Sequence, residues 1–285
     1  MKLAHIGLGF AVFLCLTGNL PAATPPQTGK TSAIQSTPAM PDFSITPAQA
    51  HTVGQRIWQN ECAGTVAGLT SWNKSEAFPS LGIGHFIWFP HEGAAPFDES
   101  FPGLIAFFGE RGVAVPRWLS SSRFCPWKTR EKFLTEQDSL RMKELRQLLA
   151  NTVGVQCDYI ARRMARALPK MLEALPDETQ RAVVKDRFIS LFRTPEGLYA
   201  LMDYVNFKGE GTKESERYQG QGWGMLQVLE GMNGTPRGLE AVREFSESAE
   251  RALQRRVANA SADRQAAEQK WLKVWERRVR GYLTP

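Results

Sequence analysis

Cysteine and histidine are scarce in this chain, with four of each among 285 residues. Cys15 falls in an apolar N-terminal run, which leaves Cys62, Cys125 and Cys157 and room for one disulfide among them. Cys125–Cys157 is the expected pair, because it would staple adjacent helical segments, with Cys62 left as a small buried apolar side chain. The few histidines argue against a metal centre. His85, His91 and Glu92 crowd one expected strand end without a recognised ligand spacing, so neither a metal nor an organic cofactor is expected. Beyond residue 16 no apolar run is long enough to span a bilayer. The body of the chain also lacks internal repeats and low-complexity stretches.

What the chain does contain begins with Lys2, an apolar core over Ile6–Leu16, and small residues at Ala22 and Ala23. This pattern reads as an export signal over 1–23 and places the product in the periplasm or outside the cell. Val12, Phe13 and Leu14 ahead of Cys15 are too large for a lipid-attachment site. Residues 24–45 are rich in Thr, Ser, Pro and Gln with almost no charge, a composition that buries too little surface to order itself. They are read as a flexible linker, with one folded domain over 46–285. The chain is 42% hydrophobic, enough for a full core. Its net charge is +6 and its pI about 9.2. In an exported chain that charge favours anionic envelope polymers over nucleic acid, although it equally serves solubility. A monomer is expected.

Thr46-Pro47 forms a helix start, with the hydroxyl as cap and proline in the first turn. Val53, Ile57 and Glu61 follow at four-residue spacing on one face. Glu61 therefore closes an apolar stripe, where partial desolvation would favour the protonated form that a general acid needs. Residues 63–79 carry turn formers and read as a loop or short hairpin. Ser80–Phe89 alternates as a strand, with Gly82 and Gly84 leaving one face bare, as a floor for a sugar chain would require. After Pro126 the pattern is nearly all helical. Thr135-x-x-Asp138 reads as a capping box, and helices are expected near 155–168, 177–192, 194–205 and 223–229. A polar loop over 206–222 and an arginine-rich helical tail over 239–282 complete the chain. The fold class is α+β, mostly α: a small β-hairpin region packed against a helical lobe.

The stretch from Glu61 to His85 carries the chemistry. A helix-end glutamate, a further acid at Glu76 and the run Ser80-Leu81-Gly82-Ile83-Gly84-His85 resemble the active-site region of phage-type lysozymes. That resemblance implies a lysozyme-like fold and an exported glycosidase cleaving peptidoglycan or a similar polysaccharide. Glu61 matches the catalytic glutamate, and Ser80 stands where the family has threonine. Gly82, Gly84 and His85 complete the signature. The family's hairpin aspartate has no clean counterpart, and Glu76 is the only acid between Glu61 and Ser80. Glu61 would protonate the glycosidic oxygen and Glu76 would support charge at the anomeric carbon. Glu210, on a glycine-flanked loop, is a rival for the second role. Trp72 and Trp88 are expected as aromatic subsite walls, with Gln221, Trp223 and Gln227 as the opposite wall. Two alternatives are a lytic transglycosylase using Glu61 alone and a non-catalytic envelope-polysaccharide binder.

Overall fold

The computed structural model describes residues 43–94 and 99–284. The expected export signal and most of the expected linker lie outside the described residues. Helix α1 (Pro47–Cys62) opens at Thr46, whose side chain accepts from the Gln49 N–H while Gln49 reaches back in a capping box. Phe43 and Ile45, assigned above to the linker, belong to the folded body. The Phe43 ring meets Phe188 and Phe192 at 5.6 and 5.0 Å, and Ile45 packs on the main core.

A three-stranded antiparallel sheet follows, formed by β1 (Thr70–Ser71), β2 (Ser80–Leu81) and β3 (Phe86–Ile87). The predicted continuous strand over 80–89 is thus a hairpin, with Gly82-Ile83-Gly84-His85 as its turn. Gly82 and His85 have φ of +69° and +46°, which a running strand cannot accommodate. Both faces of this segment are buried: Leu81, Ile83, Phe86, Ile87 and Trp88 all lie inside.

Four helices then lead into the main lobe: α2 (Phe101–Glu110), α3 (Arg117–Ser120), α4 (Arg130–Thr135) and α5 (Leu140–Asn151). The expected capping box at Thr135 is not formed. Thr135 ends α4, its hydroxyl donating to the Lys132 carbonyl, and Ser139 caps α5 instead.

The long α6 (Val153–Glu173) packs along α1. Next come α7 (Glu178–Phe192), capped by Asp177, and α8 (Pro195–Lys208), capped by Thr194. A two-stranded hairpin, β4 (Arg217–Tyr218) and β5 (Gln221–Gly222), interrupts the loop expected over 206–222. The chain closes with α9 (Met225–Glu230), α10 (Gly238–Asn259) and α11 (Ala262–Arg280). The expected tail is therefore two helices broken at Ala260-Ser261, packed on each other. The result is a mostly helical α+β fold with one main core reaching from α1 to Tyr282. Among the described residues, no helix is long and apolar enough to cross a membrane.

Candidate active site at the end of the first helix

Glu61 occupies the last turn of α1, which ends at Ala63 in a left-handed conformation. Its side chain is 18% exposed, so one side remains open to solvent. The apolar surroundings expected from the sequence are not what its carboxyl meets. Arg278 of α11 donates from Nη2 to Glu61 Oε1. His85, at the end of the β2–β3 turn, brings Nδ1 to 3.9 Å from Oε2. That distance is beyond a hydrogen bond but within an ion pair's reach.

Arg278 is itself held by a second acid. Asp203 of α8, whose side chain is 2% exposed, accepts from Arg278 Nε at 2.9 Å and from Nη2 at 2.7 Å. The Tyr282 hydroxyl donates to Asp203 Oδ2 at 2.7 Å, and the Tyr199 hydroxyl lies 3.5 Å from Oδ1. Asn60, the neighbour of Glu61, donates to the Tyr199 hydroxyl at 2.6 Å. Burial alone would lower the Arg278 guanidinium, but Asp203 and Glu61 outweigh it and raise it above its ordinary value. Arg278 also lies over the Phe207 ring, 4.7 Å from its centroid. The site is therefore a relay of charge from Glu61 through Arg278 to a fully buried Asp203 capped by two tyrosines. Arg56 ties its far side down, donating to the Gly281 carbonyl at 2.6 Å and lying 4.2 Å over Tyr199.

The other expected site residues are dispersed. Glu76 sits in the β1–β2 loop, at the opposite end of β2 from the turn that meets Glu61. Its carbonyl accepts from Trp72 Nε1 at 2.8 Å, and its Oε2 is buried without a hydrogen-bond partner among the described residues. Asp203, not Glu76, is the second carboxylate of the Glu61 network. Glu210 is partly buried against Lys170 at 3.7 Å; burial raises its carboxyl above the ordinary value. Ser80 is 8% exposed and pairs through its backbone with Ser71 and Ile87.

The glycines do not form a bare sugar floor. A Cβ at Gly82 would stand 2.3 Å from Gln156 Oε1, and one at Gly84 would stand 2.6 Å from the Phe86 ring. That space is filled from within. Gln156 accepts from the Ile83 N–H at 3.0 Å and donates to the Leu149 carbonyl at 2.7 Å, which fixes the turn that presents His85. A small cavity of about 20 Å³ lies beside Gly84 and His85, room for about one water.

Trp72 and Trp88 are core residues, not subsite walls. Trp72 meets Phe133 at 5.7 Å, and Trp88, 1% exposed, meets Phe101 at 4.9 Å. The expected opposite wall is also largely internal. Trp223 is buried against Tyr218 and lies beneath Arg256. Gln227 spends its amide on structure, accepting from the Gly224 N–H and donating to the Gly211 carbonyl. Gln221 alone of that trio is exposed.

The three cysteines are free and buried, so the expected Cys125–Cys157 disulfide is absent. Each sits in the hydrophobic core as an apolar side chain.

Sequence reading missed Asp203, Arg278, Tyr199 and Tyr282. One signal was present: Asp203 is a lone acid among Leu198, Leu201, Met202 and Val205 on a buried helix, and a buried acid requires a partner. No protein-family model matches the chain, and no curated protein or solved structure does either.

Proposed function

We propose that this chain is an exported, lysozyme-like glycosidase acting on peptidoglycan or a related aminosugar polymer, with Glu61 as its proton donor. The observation that carries the reading is the setting of Glu61: a part-exposed carboxyl on a rigid helix end, facing the glycine turn and His85. Only a carboxyl reachable by the glycosidic oxygen can deliver its proton there. Arg278 fixes one oxygen of Glu61, and Asp203 fixes Arg278, so the carboxyl is held without relying on its own rotamer preference. In this reading Glu61 Oε2 is the atom that works on the leaving oxygen.

One observation favours the single-carboxylate version of this chemistry. The acid nearest in the network, Asp203, is enclosed and fully engaged, and Glu76 lies at the other end of β2. A transglycosylase needs no second acid, since Glu61 would serve as acid and then base while a sugar hydroxyl attacks.

The test is digestion of purified sacculi by the chain lacking residues 1–23, beside Glu61→Gln, with fragments read by mass spectrometry. Reducing ends that vanish in the variant mark a hydrolase, and anhydro ends mark a transglycosylase. No fragments from either protein would sink the enzymatic reading, and co-sedimentation with sacculi would then leave a polysaccharide binder.

A further inference from the structure

A second feature lies away from Glu61. Between α7 and the C-terminal end of α9 runs a groove of about 290 Å³, lined by Thr179, Gln180, Val183, Val184, Arg187 and Glu230. Arg187 is only 8% exposed. Its Nε donates to the Gly234 carbonyl at 2.8 Å, and its Nη1 donates to the Leu229 and Glu230 carbonyls at 2.7 and 3.0 Å. These bonds cap the end of α9 and account for two of the three nitrogens. Nη2 makes no hydrogen bond among the described residues.

Nor does this guanidinium have a carboxylate of its own among the described residues. The acids that act on it through space are Glu244 and Asp186. Both are already engaged: Arg237 grips the two Asp186 oxygens at 2.9 Å each, and Glu244 accepts from Arg251 at 2.7 Å. A buried cation satisfied only by neutral carbonyls, with a donor to spare beside a groove, is an anion receptor in waiting.

We propose that this groove binds a small peptide-like ligand whose terminal carboxylate meets Arg187 Nη2. The Thr179 hydroxyl and Gln180 amide supply further polar contacts, and Val183 and Val184 offer an apolar wall for small aliphatic side chains. Glu230 stands at the rim. Arg187 meets Glu230 through its backbone carbonyl, and among the described residues no ion pair joins the two side chains. A free amine at the ligand's other end therefore finds its counter-charge there. The volume lies near the bottom of the range for ligand pockets, about 300–1,000 Å³, which suits a dipeptide rather than a longer chain. None of the groove's lining residues belongs to the Glu61 network.

The experiment is a backbone amide NMR titration of the isotope-labelled chain with acetyl-dialanine, its C-terminal amide and free dialanine. Saturating shifts at Gln180, Val183 and Val184 are expected with the carboxylate, and binding at least about tenfold weaker with the amide, since a charge-assisted bond is lost. Glu230→Gln is expected to weaken free dialanine while leaving acetyl-dialanine unchanged. Val183→Trp, which fills the groove from a part-exposed position, is expected to abolish binding with the remaining spectrum intact. A soluble muropeptide with the same carboxylate separates the sources. Comparable binding points to peptides attached to the wall polymer, and exclusion points to free peptides. Equal affinity for acid and amide, binding that survives Val183→Trp, or no shifts at millimolar ligand would each overturn the proposal and leave Arg187 as a helix cap.

Discussion

Replacing Arg278 with methionine tests whether the relay is a buried structure or a surface decoration. The guanidinium makes two bonds to Asp203 and one to Glu61, and it covers Phe207. Methionine keeps much of the contact with the ring but leaves Asp203, 2% exposed, as a charge with only the Tyr282 and Tyr199 hydroxyls for solvation. Removing one member of a buried pair costs about 3–5 kcal/mol. Arg278 is itself 34% exposed, so its own desolvation is incomplete and the lower end, about 3 kcal/mol, is expected. The sign of the double variant is the sharper test. Asp203→Asn removes the orphaned charge, so Arg278→Met with Asp203→Asn should be more stable than Arg278→Met alone. Equilibrium urea unfolding at neutral pH gives both numbers, provided the denaturant slope is unchanged. Glu61→Gln keeps an acceptor for Arg278 and should cost about 1 kcal/mol, which lets its activity be compared at equal fold. A cost below about 1 kcal/mol for Arg278→Met, or further destabilisation by Asp203→Asn in that background, would refute the buried relay.

Three further outcomes follow from the packing. Lys208 places its ammonium 3.5 Å over Trp275 and 4.0 Å over Phe207; burial, aided by Arg256 and Arg278 and opposed by Glu268, pushes it down to about 6. The unfolded chain keeps that proton up to the ordinary value of 10.5, so stability should rise between about pH 6 and 10.5, by no more than about 1.4 kcal/mol per pH unit from this group. Melting temperatures of wild type and Lys208→Met across that window check it, and parallel profiles would contradict it. Burial pushes the Cys62, Cys125 and Cys157 thiols up to about 12, so a maleimide at pH 8 should label none of them in the folded chain and all three in denaturant. Gly82→Ala should cost about 2–3 kcal/mol by chemical denaturation, because it combines φ of +69° with displacement of Gln156. Gly93→Ala, with the same φ but open space around it, should cost only about 1 kcal/mol; equal costs would remove Gln156 from the explanation.

The elements legible in the sequence are those whose ends carry their own chemistry. Thr46-Pro47, Asp177 and Thr194-Pro195 each cap a helix with a side-chain oxygen three residues from the N–H it satisfies, so the signal and the structure occupy the same turn. Helix α2 has no such cap. Phe101, Leu104, Phe107 and Phe108 are buried and Ile105 packs beside them, so apolar residues surround too much of the helix to leave a clear stripe. The error over 80–89 has a different origin. Alternation of large and small residues is shared by a strand and by a tight hairpin with glycines in its turn. What separates them is backbone sign at Gly82 and His85, together with the Gln156 amide contributed from α6.

The same distinction divides the candidate site. Glu61 was legible because its place at the end of a capped, apolar-faced helix is a local property. Its environment was not, because Arg278 lies 217 residues away and Asp203 meets that arginine across 75. Arg251, Arg255, Arg256, Arg277, Arg278 and Arg280 look alike along the tail. The docking of α10 and α11 separates them: Arg251 and Arg256 pair with Glu244 and Glu268, Arg277 points outward, Arg280 pairs with Glu250, and Arg278 turns inward onto two acids. What selects Arg278 is the cost of leaving Asp203 buried and charged on α8. A buried aspartate fixes where a guanidinium must dock, and that guanidinium in turn fixes the glutamate. The one buried acid of α8 was therefore the residue from which the site should have been built, with the part-exposed glutamate following from it.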